Sequence, residues 1–156
     1  MSCRVSTVPD LRAVSPDAVA AAGQDRRPAW RHAGADLDAV PRSVPAARGL
    51  VRIILESWNL EDTADPAELI ASELLTNAVR ASAAAGCPVV GLRLTCRPRS
   101  LLVAVWDASP GLPVPRRDAP ADALGGRGLV LVEMLADRWG CDPADGGKVV
   151  YAELAR

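Results

Sequence analysis

The apolar positions of this chain change period as it proceeds. Val44, Ala47, Val51, Ile54, Leu55 and Trp58 recur at three- and four-residue intervals, which predicts a helix over about 44–58. Ser43 is placed to cap it, with Pro45 early in the first turn. A second helical set, Ile70, Ala71, Leu74, Leu75, Ala78 and Val79, predicts a helix over about 66–85. Asp65 reads as its cap, Pro66 as its first residue and Glu68 as the partner of a capping box; Gly86 and Pro88 end it.

The period then drops to two. Val90, Leu92 and Leu94 alternate along VVGLRLTC at 89–96, which predicts a strand. After the turn RPRS comes LLVAVWD at 101–107, a continuous apolar run expected of a central strand. AWRHAG, near Trp30, suggests a short edge strand before the first helix. Residues 108–124 carry Pro110, Pro113, Pro115 and Pro120 and hold no period; a loop of that length suits a functional lid. GGRGLVLVEMLADRWG at 125–140 leads from glycines into a helical set, Leu129, Val132, Leu135 and Ala136. Trp139 to Cys141 form a candidate strand, DGGK at 145–148 a hairpin turn and VVYAEL at 149–154 the closing strand.

The order is therefore strand, two helices, two strands, lid, helix, two strands. It predicts an α/β fold: a two-layer α/β sandwich in which one mixed sheet carries helices on one face. Residues 1–28 show no sustained period beyond a possible short helix start at Ser15-Pro16, and are expected to form a flexible tail ahead of a single domain over 29–156.

Composition narrows the function classes. Lys plus Arg number 18 against 19 Asp plus Glu, so a basic nucleic-acid footprint is not expected. The apolar runs fall far short of the roughly 18 residues of a membrane span, and no signal-peptide pattern is visible, so a cytoplasmic chain is expected. Cys3, Cys87, Cys96 and Cys141 are scattered without a CxxC pair, which favours free thiols over a zinc site or a disulfide framework.

Three features could carry chemistry. Glu73, Asn77 and Arg80 share a narrow arc of the second helix beside its apolar face. They suit either a solvated helix edge or a site in which an amide oxygen holds Mg²⁺ and a carboxylate takes a proton. Asp107 ends the central strand, where it either starts a turn or accepts a hydrogen bond from an exocyclic amine such as adenine's. Gly125-Gly126-Arg127-Gly128 opens a helix, a place where backbone N–H groups and the helix dipole favour phosphate; glycines also simply end loops.

Taken in order, these segments resemble the Bergerat ATP-binding fold of the GHKL superfamily, which includes gyrase-type and histidine-kinase ATPases. ELLTNAV looks like its N box, DASPG like its first glycine box and GGRGL like its second. The resemblance covers roughly 30–156 and is closest to short actinobacterial ATP-binding proteins related to anti-sigma-factor serine kinases. Their ExxxNAV, DxSPxxP, GGRGLxLV and GGKxVxAEL patterns match Glu73–Val79, Asp107–Pro113, Gly125–Val132 and Gly147–Leu154.

The resemblance implies ATP and Mg²⁺ as cofactors. It implies Glu73 as general base, Asn77 as Mg²⁺ ligand, Asp107 as the contact to adenine N6, and Gly111 where the chain passes the adenine. Gly126, Arg127, Gly128 and Leu129 would line the phosphates, and Arg80 would extend the N-box face. Arg48 matches a segment that such kinases use toward partners, or is a surface charge. Two departures stand out: Arg80 is followed by Ala81 rather than His, and the lid is short and proline-rich. The implied activity is a serine/threonine protein kinase that phosphorylates an anti-anti-sigma protein with a STAS domain, sequesters a sigma factor, or does both. Homodimers are common among such relatives, and neither direct nucleic-acid nor membrane binding is implied. The alternatives are a non-catalytic ATP-binding regulatory module and an interaction protein that keeps only the fold. A complete histidine kinase is disfavoured, because His32 lacks a dimerisation helix around it.

Overall fold

A computed structural model describes residues 30–115 and 127–156. The expected tail at 1–28, the distal part of the expected lid, and Gly125 and Gly126 lie outside the described residues.

The elements follow the expected order: β1 (Arg31–Asp38), α1 (Ser43–Ser57), α2 (Ala64–Ala84), β2 (Val89–Cys96), β3 (Ser100–Asp107), α3 (Gly128–Leu135), β4 (Arg138–Ala144) and β5 (Gly147–Ala155). The five strands form one sheet in the order β1-β2-β3-β5-β4. Every neighbouring pair is antiparallel, so the sheet is not mixed as expected. For two of the four pairs the reason is local. RPRS and Asp145-Gly146 are too short for the crossover that parallel neighbours need, so β2–β3 and β4–β5 close as hairpins.

The alternation of β2 and β5 and the continuous run of β3 explain the layers. Val90, Leu92, Leu94, Leu101, Val103, Val105, Val150, Ala152 and Leu154 pack with the apolar faces of α1, α2 and α3 in one core. The opposite face of β3 is also covered. Ala104 and Trp106 join Cys87 and Val149 in a small second cluster, and Trp106 Nε1 donates to the Asp145 carbonyl at 3.3 Å.

The helix starts differ from the capping read in the sequence. Ser43 is the first residue of α1, not its cap; Arg42 holds the N-cap position without a side-chain bond. Asp65 and Glu68 form no capping box, because a 3₁₀ turn at Glu61–Thr63 runs into α2. Both carboxylates turn instead toward α1. Arg52 reaches Asp65 at 2.8 Å and forms a close ion pair with Glu68 Oε1 at 2.5 Å. The C-terminus of α2 ends as expected. Gly86 takes φ +68° while its N–H bonds the Ala83 carbonyl and the Cys87 N–H bonds that of Ser82, a Schellman cap.

Candidate functional site

Helix α2 lies across β3, and α3 packs against α2. Between them opens a cavity of about 460 Å³, within the range of sites for small organic ligands. Its lining comes from segments far apart in sequence: Asn77 and Arg80 on α2, Asp107 at the end of β3, Ser109 and Gly111 to Val114 in the following loop, Gly128 and Leu129 on α3, and Lys148 on β5. Leu74, Val105 and Val150 give it an apolar wall.

Asp107 is the most buried polar group of the site, at 2% exposure. It sits in register opposite Lys148 on the β3–β5 ladder, so both side chains point to the helix-facing side. Lys148 Nζ donates to Asp107 Oδ1 at 2.7 Å and to the Ser109 carbonyl at 3.2 Å. The Ser109 N–H donates to the same Oδ1 at 2.9 Å, closing a turn that folds the loop back over the cavity. Burial pushes the Asp107 carboxyl above its ordinary value, and the Lys148 ammonium and the Ser109 N–H partly offset that push. Both described hydrogen bonds fall on Oδ1, which leaves Oδ2 as acceptor for a donor within the cavity.

The loop after Asp107 is further fixed from α2. The wholly buried Ser82 hydroxyl accepts the Ala108 N–H at 3.1 Å, and Ser109 Oγ accepts the Gly111 N–H at 3.3 Å. Leu112 and Val114, at the rim of the cavity, are largely exposed.

At the other end, α3 begins at Gly128 with Arg127 in the N-cap position. A side chain at Gly128 would run into the carboxylate of Glu73, so the glycine lets the start of α3 close onto α2. Glu73 is half-buried and stands against Gly128, one helical turn before Asn77, but it is not part of the cavity lining.

The fold thus gathers Asn77, Arg80, Asp107, Gly111, Gly128 and Leu129 around one cavity and sets Glu73 beside it. Arg127 adjoins it at the N-cap of α3, and Gly126 lies outside the described residues. Arg48 is not part of the lining; it lies on α1 and faces Glu68 at 3.9 Å. The sequence reading missed Lys148, taking it as part of a hairpin turn. No local pattern marks it, because only the pairing of β5 with β3 sets the lysine opposite Asp107.

Among the described residues, no cluster of three or more His, Cys, Asp or Glu side chains could hold a metal ion, and no helix is long and apolar enough to cross a membrane. The donor set is an amide oxygen, a buried carboxylate with a vacant acceptor atom and the N-terminus of a helix. It fits a phosphorylated ligand that carries an amine, and the Asn77 amide oxygen could serve as a ligand to a hard cation accompanying the phosphates. No curated protein matches the chain. A family model described as a histidine kinase-like ATPase domain matches residues 37–154.

Proposed function

Because the chain belongs to the histidine kinase-like ATPase family, of which ATP binding is expected, we propose that it holds Mg-ATP in the α2–β3–α3 cavity and acts as a regulatory serine/threonine protein kinase of the anti-sigma-factor type. The observation that carries the nucleotide part is Asp107: a buried carboxylate in the cavity wall with Oδ2 open to an exocyclic amine. The adenine would lie against Leu74, Val105 and Val150 near Gly111, and the phosphates would run toward Gly128, Leu129 and the N-terminus of α3. Asn77 would offer its amide oxygen to Mg²⁺, and Arg80 and Arg127 would add charge near the phosphates.

In this reading Glu73 takes the proton of a serine hydroxyl on a STAS-domain anti-anti-sigma protein. The serine oxygen attacks the γ-phosphorus, the bond to the β–γ bridging oxygen breaks, and ADP leaves with that oxygen. Arg48, exposed on α1, would belong to the surface that meets that protein or a sigma factor. The test is incubation of the chain with labelled ATP and STAS-domain proteins. Label on a partner serine, lost in Glu73→Ala, supports the kinase; undiminished transfer by Glu73→Ala removes Glu73 as the base.

A second reading has its own support. Glu73 is packed against Gly128 rather than lining the cavity. That placement suits a non-catalytic ATP-binding module, in which nucleotide only changes the partner surface. Such a module binds ATP and its partner together and never transfers phosphate, and Asn77→Ala abolishes both kinds of binding.

A further inference from the structure

Lys148 is the only lysine in the chain; every other permanently positive side chain is arginine. It is also buried, at 6% exposure, and it stands in the cavity wall rather than on the surface. An ammonium carries three N–H donors. Two have partners, Asp107 Oδ1 at 2.7 Å and the Ser109 carbonyl at 3.2 Å. The third has none among the protein hydrogen bonds described for Lys148, in a wall whose neighbouring Asp107 Oδ2 is open as well.

We propose that Lys148 contacts the nucleobase directly, so that Asp107 and Lys148 together read the base edge as one acceptor–donor pair. The inference rests on the nucleotide reading of the cavity. The carboxylate oxygen accepts from an exocyclic amine, and the ammonium donates to a ring nitrogen beside that amine. Adenine carries that arrangement at N6 and N1. The Asp107–Lys148 bond holds the two groups side by side, so a base with both features closes a ring of three hydrogen bonds without moving either side chain. A guanidinium in place of the ammonium would project its donors farther and as a flat fork, which does not suit a second acceptor this close to Asp107. The rival role for Lys148 is purely structural, the neutralisation of a buried carboxylate.

The two roles separate in equilibrium binding of ATP and of 1-deaza-ATP, which keeps the amine and lacks the N1 acceptor. The full chain is expected to bind ATP at least about tenfold more tightly than the analogue, the scale of one charge-assisted hydrogen bond. Lys148→Met is expected to bind the two equally, and Lys148→Arg, which keeps a charge for Asp107, to discriminate less than the parent. Equal binding of both nucleotides by the parent chain overturns the inference while leaving the ATP site in place, and so does discrimination undiminished in Lys148→Met. Absence of saturable ATP binding to the parent removes the nucleotide reading itself. The parent comparison needs no substitution, so it decides even where Lys148→Met fails to fold.

Discussion

Asp107 and Lys148 face each other across the β3–β5 ladder and form an ion pair of 2.7 Å in which both side chains are nearly fully buried. Burial disfavours each charge, and each is compensated by the other. Removal of one partner therefore leaves an unpaired buried charge. Lys148→Met is expected to lower unfolding stability by about 3 kcal/mol or more. The double variant Asp107→Leu, Lys148→Met is expected to be more stable than the worse of the two single variants. Urea unfolding of the three variants checks this; simple additivity would mean that the two groups do not interact.

Gly128 and Glu73 set up a second prediction. A methyl group at position 128 meets the end of the Glu73 side chain, a flexible tip that can swing aside. Gly128→Ala is thus expected to cost no more than about 1 kcal/mol of stability. It displaces the carboxylate, however, so any phosphoryl transfer is expected to drop as far as in Glu73→Ala, with the double variant no worse than either single one. Kinetics of the three chains with one phosphoacceptor provide the check; additive losses would mean that the glycine acts independently of Glu73.

Glu153 gives the chain an acid-sensitive contact on the sheet face away from the helices. Burial pushes its carboxyl up, but the Ser100 hydroxyl, Arg138 and Arg97 outweigh this and hold it below its ordinary value. Arg138 reaches it at 2.5 Å and Arg97 at 3.3 Å. A depressed folded value means that the native state binds the proton less readily than the unfolded chain. The contact then stabilises above the ordinary glutamate range and is lost as pH falls below about 4. Glu153→Gln is expected to lower Tm at pH 7 and to flatten the acid limb of the Tm–pH curve. A parallel downward shift at every pH would contradict that assignment.

Gly86 carries its own test. At φ +68° an alanine is strained although nothing crowds its Cβ, so Gly86→Ala should cost about 1 kcal/mol. Nucleotide binding is expected to stay unchanged, because the cap lies outside the cavity wall. Calorimetric unfolding beside a binding titration measures both.

The sequence was most legible where one local rule acts alone. β2 spans the residues its alternation predicts, and Gly86 ends α2 as its neighbours imply. The helix starts were less legible, because Arg52 on α1 competes for Asp65 and Glu68, a contact no local pattern contains. The wholly antiparallel sheet depends on which hairpins pair with which strand, and that same pairing hid Lys148. Asn77, Arg80, Asp107, Gly111, Gly128 and Leu129 were picked out by motif order and meet at one cavity. Glu73 was picked out equally well, but its place beside the cavity rather than in its lining follows from how closely α3 approaches α2, which the sequence does not specify.

The central claim is that the cavity ending at Asp107 is an ATP site, and calorimetric titration of Mg-ATP into the parent chain and Asp107→Ala tests it most directly. The account predicts saturable binding of one ATP per chain, weakened at least about tenfold in Asp107→Ala with the fold intact by circular dichroism. Binding of equal strength in the two chains, or no saturable heat in the parent, would contradict it.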